Sequence, residues 1–338
     1  MLLANLHLNN FRNYKDLTVK IPEKGMLLTG PNGSGKTNLL EAVFMLCTAR
    51  SQRGATRNEL IEFSSDYSYV EGDFSCSGLQ PELTVSIGFT REQKVRMKKN
   101  GTPVSSFSQW LGHGMAVSFG PEDLALVQGV PKDRRNFLDI FLSQIDTSYL
   151  SSLMSYRKNL AQRNNLLARH IGDAQLDVYE EAMAVHGASV FFRRREICNE
   201  MAPVFASFYN EIGGTGERAS LDYRPSVKCE SGSREEWETL FLRSLKNAKT
   251  KDMLSGHSSV GPHRDDIALL VNSKDARSFA SQGQCTTAAL SLRLASVFVG
   301  EQYKRDQMIF LFDDAVSYLD AARTSRVFPL WKTVDSFW

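Results

Sequence analysis

Three observations predict an α/β fold with a helical second lobe. A short apolar run, Met26 to Thr29, leads into Gly30-Pro31-Asn32-Gly33-Ser34-Gly35-Lys36-Thr37, and a helical pattern follows from Asn38. A second apolar run, Met308 to Phe312, ends in Asp313-Asp314. Roughly 270 residues separate the two, reading first as an antiparallel β meander and then as long helices. A mixed sheet with flanking helices, interrupted by a large insertion, accommodates all three.

The glycine-rich run fits G-x-x-x-x-G-K-[ST] in the strand–loop–helix setting that gives the pattern its meaning. Glycines let the backbone turn its N–H groups inward around a polyphosphate, at dihedral angles that a Cβ obstructs. A helix starting at Lys36-Thr37 aims its unpaired N–H groups and positive dipole end at the same place. Lys36 is expected to reach the β- and γ-phosphates and the Thr37 hydroxyl to ligate Mg2+, with Gly30, Pro31, Asn32, Gly33, Ser34, Gly35 and Asn38 completing the cradle. A buried strand ending in two carboxylates is the expected partner of such a loop. Asp313 would sit beside the metal, and Asp314 would orient or deprotonate the attacking water. A turn-forming Asp pair is the bland alternative, and the phosphate loop weighs against it.

In chain order, Leu2, Ala4, Leu6 and Leu8 alternate with polar residues, and Leu17 to Ile21 resumes the alternation, so two short strands feed the loop. The helix after it carries Leu39, Leu40, Val43, Phe44 and Leu46 on a broad apolar face. Gln52 to Leu60 is polar and reads as a loop over the nucleotide. Strand patterns at Tyr69 to Phe74, Leu83 to Phe89 and Lys94 to Lys98 precede Asn100-Gly101, a hairpin signal. Arg91, Lys94, Arg96, Lys98 and Lys99 give this meander a basic edge, which either guards an exposed strand or meets a phosphate backbone. From Lys132 to about Ile212 apolar residues recur at helical spacing, with a break at Gly172-Asp173, predicting two long helices side by side. Arg193-Arg194-Arg195 lies within them, as a solvated helix face or a basic patch. Beyond Gly213-Gly214-Thr215-Gly216, Leu221 to Arg224 and Ile267 to Val271 read as strands and Glu235 to Asn247 as a helix; another helix carries Ala288, Ala289, Leu292, Leu294 and Ala295.

Composition narrows the class. No apolar run of membrane-spanning length exists, and Met1 leads into a strand pattern rather than a signal peptide. The five cysteines are scattered without a C-x-x-C pair, as expected of reduced thiols in a cytoplasmic protein. A net charge of +2 leaves any nucleic-acid contact to a local patch.

Ser281-Gln282-Gly283-Gln284 at a helix start offers a second anion site, although alone it is equally an ordinary N-cap. Following a phosphate loop and preceding Asp313-Asp314, it completes the order of the ATP-binding-cassette ATPases. The chain resembles their SMC-like, non-transporter branch, and within it the RecF family of bacterial recombination-repair ATPases. The likeness runs nearly end to end. It is carried by Leu8-x-x-Phe11-Arg12-Asn13-Tyr14, Thr37 to Ala42, Pro121-Glu122-Asp123-Leu124, Gly129-x-Pro131-x-x-Arg134-Arg135-x-Phe137-Leu138-Asp139, Gln162-Arg163-Asn164-x-Leu166-Leu167 and Gly261-Pro262-His263-Arg264-Asp265-Asp266.

This resemblance implies a P-loop ABC-type head with a helical second lobe and no long coiled coil. ATP would be sandwiched between the phosphate loop of one subunit and Ser281, Gly283 and Gln284 of another. The ATP-dependent homodimer would bind DNA, double-stranded and at single-strand gaps, and act with RecR and RecO to direct RecA loading. Gln128 falls where that branch couples Mg2+ to lobe rotation, Arg12 where a side chain reaches the nucleotide, and Asp320 in the loop beyond the carboxylates. His263, beside Arg264 and two Asp residues, is expected at a charged interface. The expected division is 1–134 and 261–338 for the ATPase lobe and 135–260 for the helical lobe.

The chain also departs from the family pattern. Cys285-Thr286-Thr287 stands where the family has a polar or basic pair, and Tyr318 where it has Glu. No apolar strand is evident from Phe328 to Trp338, so the strand carrying the polar switch residue is not visible; either the chain is truncated or turnover is slow, and ATP binding should survive better than hydrolysis. The long insertion disfavours a transporter ATPase subunit. A nucleotide-binding scaffold that turns over little or no ATP stays open as a rival.

Overall fold

The computed structural model describes residues 2–75, 82–170, 173–214, 216–229, 232–304, 306–313 and 319–330. The chain opens with a hairpin of β1 (Leu2–Phe11) and β2 (Tyr14–Lys20), then passes through the glycine-rich loop into α1 (Lys36–Thr48) and the short α2 (Arg57–Leu60). The meander follows: β3 (Tyr67–Ser75), β4 (Leu83–Thr90), β5 (Val95–Lys99) and β6 (Thr102–Val104). After α3 (Phe107–Trp110) and β7 (Ala116–Phe119), a 3-10 turn at Pro121–Asp123 leads into α4 (Leu124–Gln128). Then come α5 (Pro131–Ile145), α6 (Thr147–Ala168), α7 (Asp173–Gly213), β8 (Ala219–Arg224) and α8 (Arg234–Ser255). β9 (Asp266–Val271), β10 (Lys274–Asp275), α9 (Ala276–Phe279), α10 (Gln282–Lys304), β11 (Ile309–Phe312) and α11 (Ala321–Leu330) complete it.

Two compact units result. The head comprises 1–124, 211–215 and 282–338, and the second unit 125–210 and 216–281. These bounds differ from the expected breaks at 134 and 260. The reason is strand pairing: β9 joins β8 and β10 in a three-stranded sheet of its own, so the chain to Ser281 stays with the helices.

The head is built on a six-stranded antiparallel sheet in the order β2-β1-β3-β4-β5-β6. Alternating residues Leu6 and Leu8, Val70, Val85 and Ile87 are buried, together with Leu39, Val43, Phe44 and Leu46 of α1. Asn100 and Gly101 take φ of 47° and 76°, the left-handed pair that a two-residue turn between β5 and β6 needs. β11 pairs in parallel with β7, Phe312 opposite Phe119. The expected strand at Met26 to Thr29 is not formed: this stretch lies outside every ladder, and Leu27 is 87% exposed. An apolar run becomes a buried strand only where a neighbour covers it, and β7 and β11 pair with each other.

In the second unit, α5, α6 and α7 replace the expected two helices. Asp146 separates the first two, its carboxylate accepting from the N–H groups of Ser148 and Tyr149 to cap α6. Tyr156, Met183, Phe191, Trp237, Phe241 and Leu245 form the apolar core, with the Phe191 and Trp237 rings stacked 5.0 Å apart.

Around that core lies a buried ionic network made from the polar family motifs. Arg134 forks onto Asp266 at 2.7 and 3.0 Å. Arg194 bonds Asp139 at 2.8 Å, Asp265 at 3.0 Å and the Pro262 carbonyl at 2.6 Å. Arg163, itself fully buried, bonds Glu180 and Asp252. Arg193 pairs with Asp146 and Glu196, and Arg195 donates to the Cys229 carbonyl. The triple-arginine run is therefore neither a solvated face nor a basic patch, because its helix is packed on several sides.

His263 departs from its expected role in the same way. Its Nε2 donates to the Ser258 carbonyl at 3.1 Å, and its Nδ1 accepts from the Tyr156 hydroxyl at 2.6 Å. Burial pushes the ring down to about 4, so it is a neutral core histidine. Unfolded, it titrates near pH 6.5, so between about pH 6.5 and 4 only the unfolded chain takes up this proton. This contribution to stability is full above about 6.5 and is lost as pH falls. Acidifying from pH 6.5 to 5 should cost about 2 kcal/mol through this ring. Urea midpoints across that range should show the loss in wild type and a flatter dependence in His263→Gln.

Candidate nucleotide site

Gly33 and Gly35 take φ of 80° and 104°, turning the loop tightly ahead of Lys36. The β1–β2 hairpin roofs Gly35: a Cβ there would stand 2.6 Å from Asn13 Nδ2 and 2.7 Å from the Tyr14 hydroxyl. Asn13 donates to the Ser34 carbonyl at 3.3 Å and accepts from Asn38 Nδ2 at 2.8 Å, tying hairpin, loop and helix together. Lys36 Nζ donates to the carbonyls of Gly30 and Pro31 at 2.8 and 3.0 Å, which lays the ammonium across the loop. Gly30, Pro31, Asn32, Gly33 and Ser34 are exposed to solvent along it.

Thr37 Oγ1 donates to Asp313 Oδ1 at 3.0 Å across 276 residues of sequence. β11 delivers the carboxylate, and the Asp313 N–H extends its pairing with β7 by donating to the Phe119 carbonyl at 2.8 Å. One hydroxyl and one carboxylate oxygen, side by side, are the hard donors that Mg2+ takes from protein when phosphate and water fill the remaining positions. Among the described residues no group of three or more His, Cys, Asp or Glu could cage a metal unaided, so the donor set fits a nucleotide-borne cation. Nearby, Asp123 accepts from the Gly120 N–H at 3.0 Å and from Arg293 of α10 at 2.6 Å, bracing the turn that follows β7. Arg53 meets Glu122 of that turn at 3.3 Å.

Arg12, expected at the nucleotide, is forked on Glu41 at 2.9 and 3.1 Å and donates to the Glu59 carbonyl at 2.9 Å. Glu41 is fully buried and also accepts from Ser51 at 2.5 Å, so Arg12 fastens residues 51–60 to α1. Gln128 is exposed at the end of α4 and Ser281 is the exposed last residue of the second unit, while Gly283 and Gln284 are half-buried in the first turn of α10. Asp320 is exposed and caps α11 by accepting from the Arg323 N–H at 2.8 Å. Asp314, Ser317 and Tyr318 lie outside the described residues. The structure thus brings Gly30 to Asn38 together with Asp313. Thr286 and Thr287, part of the departure after Gln284, are buried, and their hydroxyls donate back to the carbonyls of Gln282 and Gly283.

Sequence reasoning assigned no site role to Asn13, Tyr14 or Glu41. For Glu41 a signal exists, since an acid on the otherwise apolar face of α1 demands a buried cation. Asn13 and Tyr14 give no such signal, because their role comes from the hairpin folding over Gly35.

A phosphate loop bonded to a strand-end carboxylate, in a head with an antiparallel sheet, defines the class: an ABC-type ATPase head of the SMC kind. Residues 2–335 match the family model "RecF/RecN/SMC N terminal domain". The DNA replication and repair protein RecF of Lactobacillus johnsonii is 36% identical over 342 residues, covering 97% of this chain and 88% of that protein. RecF of Bacillus cytotoxicus is 35% identical over 331 residues with the same coverage. A solved structure of the recombination mediator protein RecF with ATP superposes with a TM-score of 0.90 at 32% identity, covering 99% of this chain and 90% of that one. The Smc head domain of Pyrococcus furiosus, at 16% identity and a TM-score of 0.55 over 98% of this chain and 87% of that one, shares the fold. The chain belongs to the RecF family of SMC-like ATPases. No described helix is long and apolar enough to cross a membrane.

Proposed function

We propose that this protein is an ATP-dependent DNA-binding switch of recombination repair, closing as a homodimer around nucleotide. The observation that carries this is the 3.0 Å bond between Thr37 and Asp313, which joins the loop to the strand-end carboxylate. The RecF relatives, one solved with ATP in what is named the RecFOR pathway, support both the nucleotide and partners of the RecR and RecO kind. Lys36 and the loop N–H groups of Gly30 to Gly35 would hold the phosphates, and Thr37 and Asp313 would hold Mg2+, with Gln128 a candidate further ligand. The metal would supply charge neutralisation between the β- and γ-phosphates. Asp314 would orient or deprotonate water. Ser281, Gly283 and Gln284 would meet the γ-phosphate held by a second copy, with Asp320 beside it. Binding energy realised only in the closed dimer shifts the population toward it, and slow hydrolysis releases it.

Light scattering on wild type, Lys36→Met and Ser281→Arg, with and without ATP, tests this reading. Mass should double with ATP in the wild type alone, and a wild-type mass indifferent to ATP overturns the sandwich. The rival scaffold reading, nucleotide binding without turnover, is favoured if wild type and Asp314→Asn show equal single-turnover rates.

For DNA, the exposed basic residues Lys94, Arg96 and Lys98 at β5 carry the proposal, now that Arg193 to Arg195 are engaged inside the fold. Lys99 is a weaker candidate, since partial burial lowers its pKa. Three such phosphate contacts give a slope of about −3 in log K against log salt on duplex DNA. Replacing Arg96 and Lys98 with Gln should reduce that slope by about 2; an unchanged slope moves the DNA surface elsewhere.

A further inference from the structure

The head holds a second cluster of charged contacts, whose two arginines the nucleotide reading leaves unused. Arg323, in the first turn of α11, has a side chain only 13% exposed and lies 3.6 Å from the Asp320 carboxylate. Its Nη1 rests on Gly283, where a Cβ would stand 2.4 Å away, so the guanidinium fills the space of a missing side chain at the start of α10. One turn further along, Arg326 donates through Nη1 to the Ile212 carbonyl at 3.2 Å and presses in the same way against Gly214. Ile212 lies in the last turn of α7, where carbonyls lack partners within the helix and a cation is favoured by the dipole. α11 therefore fastens the turn at Gly283 to the end of α7 with two arginines, each of these contacts lying within the head. α7 is 41 residues long and, apart from its last three residues, belongs to the second unit, with Pro203 inside it ahead of the fastened end. Proline removes one ladder N–H and lets a helix bend at that point.

We propose that α11 is a coupling element: Arg323 positions the turn at Gly283 for a neighbouring copy's triphosphate, and Arg326 passes that engagement to the end of α7. The proposal rests on the sandwich reading above. A turn drawn toward phosphate carries the guanidinium seated on it, and a rigid helix carries the next arginine with it. Neither arginine touches nucleotide in this scheme; both are positioning residues.

The full-length chain with MgATP provides the test, read by equilibrium ATP binding, light-scattering mass and amide hydrogen exchange of residues 204–213. Arg323→Met, Arg323→Lys, Arg326→Met and Arg326→Lys should all bind ATP within about threefold of wild type, since the phosphate loop is untouched. Wild type and Arg326→Lys should double in mass and slow exchange at 204–213 when ATP is added. Arg326→Met should double in mass without the exchange change. Arg323→Met should need at least about tenfold more ATP to dimerise; should it fold poorly, Arg323→Lys, which keeps the charge but not the planar fork, replaces it with the same expectation. Arg323→Met (or Arg323→Lys in its place) and Arg326→Met matching wild type in both mass and exchange would overturn the proposal and leave the sandwich standing. A wild type that stays monomeric in ATP overturns the sandwich, and the coupling with it.

Discussion

Arg194→Met is expected to destabilise the second unit by about 3–5 kcal/mol. The side chain is 2% exposed, and its guanidinium is shared between Asp139 and Asp265, which are buried too. Removing the cation leaves the buried Asp265 with neutral donors alone, and leaves Asp139 with the more exposed Arg157 at 2.6 Å as its one remaining charged partner among the described residues. Tyr149 and Tyr223 still donate to them, from hydroxyls whose pKa burial holds well above the ordinary value. A chain poised at the usual 5–15 kcal/mol loses a large part of its margin. Urea unfolding of wild type and Arg194→Met, followed by the Trp237 fluorescence of the same unit, measures the loss. The triple variant with Asp139→Asn and Asp265→Asn should recover part of it, since the charges that need the arginine are gone; a single variant within 1 kcal/mol of wild type would show that the network is not holding the lobe.

Lys36→Met is expected to weaken ATP binding at least about 100-fold, close to 3 kcal/mol, while leaving stability nearly unchanged. The ammonium lies across the exposed loop, bonded among the described residues to two loop carbonyls that water can serve equally well. Against phosphate it would make charge-assisted hydrogen bonds worth about 1.5–3 kcal/mol each. Fluorescent-nucleotide titration beside a urea melt separates the two effects. Loss of binding with an unaltered melt places the lysine on the phosphates; a parallel fall in both would make it a structural brace.

Much of the head was legible before any coordinates. The glycine-rich loop, the meander closed at Asn100-Gly101 and the strand ending at Asp313 all depend on short-range patterns, which one sequence records directly. The meeting of Thr37 with Asp313 was also legible, because a phosphate loop has few other uses for a carboxylate at the end of a buried strand. Polar residues were the difficulty. Arg194 and His263 look like surface or interface groups in sequence, since nothing local announces partners from distant helices and loops. Nor does anything local announce the partner of Arg12, whose carboxylate lies 29 residues away on α1. Met26 to Thr29 shows the converse, since apolar composition states a preference for burial and not whether a neighbour is there to provide it. At the departure Cys285-Thr286-Thr287, two hydroxyls turn back into their own helix, which the sequence alone does not announce.

The Asn13–Asn38 clasp spans 25 residues, whereas the Thr37–Asp313 bond spans 276. Closing a short loop is quick, and gathering ends that far apart is slow. During refolding, or as the chain leaves the ribosome, a pocket with the shape to grip phosphate should therefore exist well before the carboxylate that holds the cation arrives. Affinity for nucleotide without metal would mature first, and the dependence on Mg2+ only once β11 has docked.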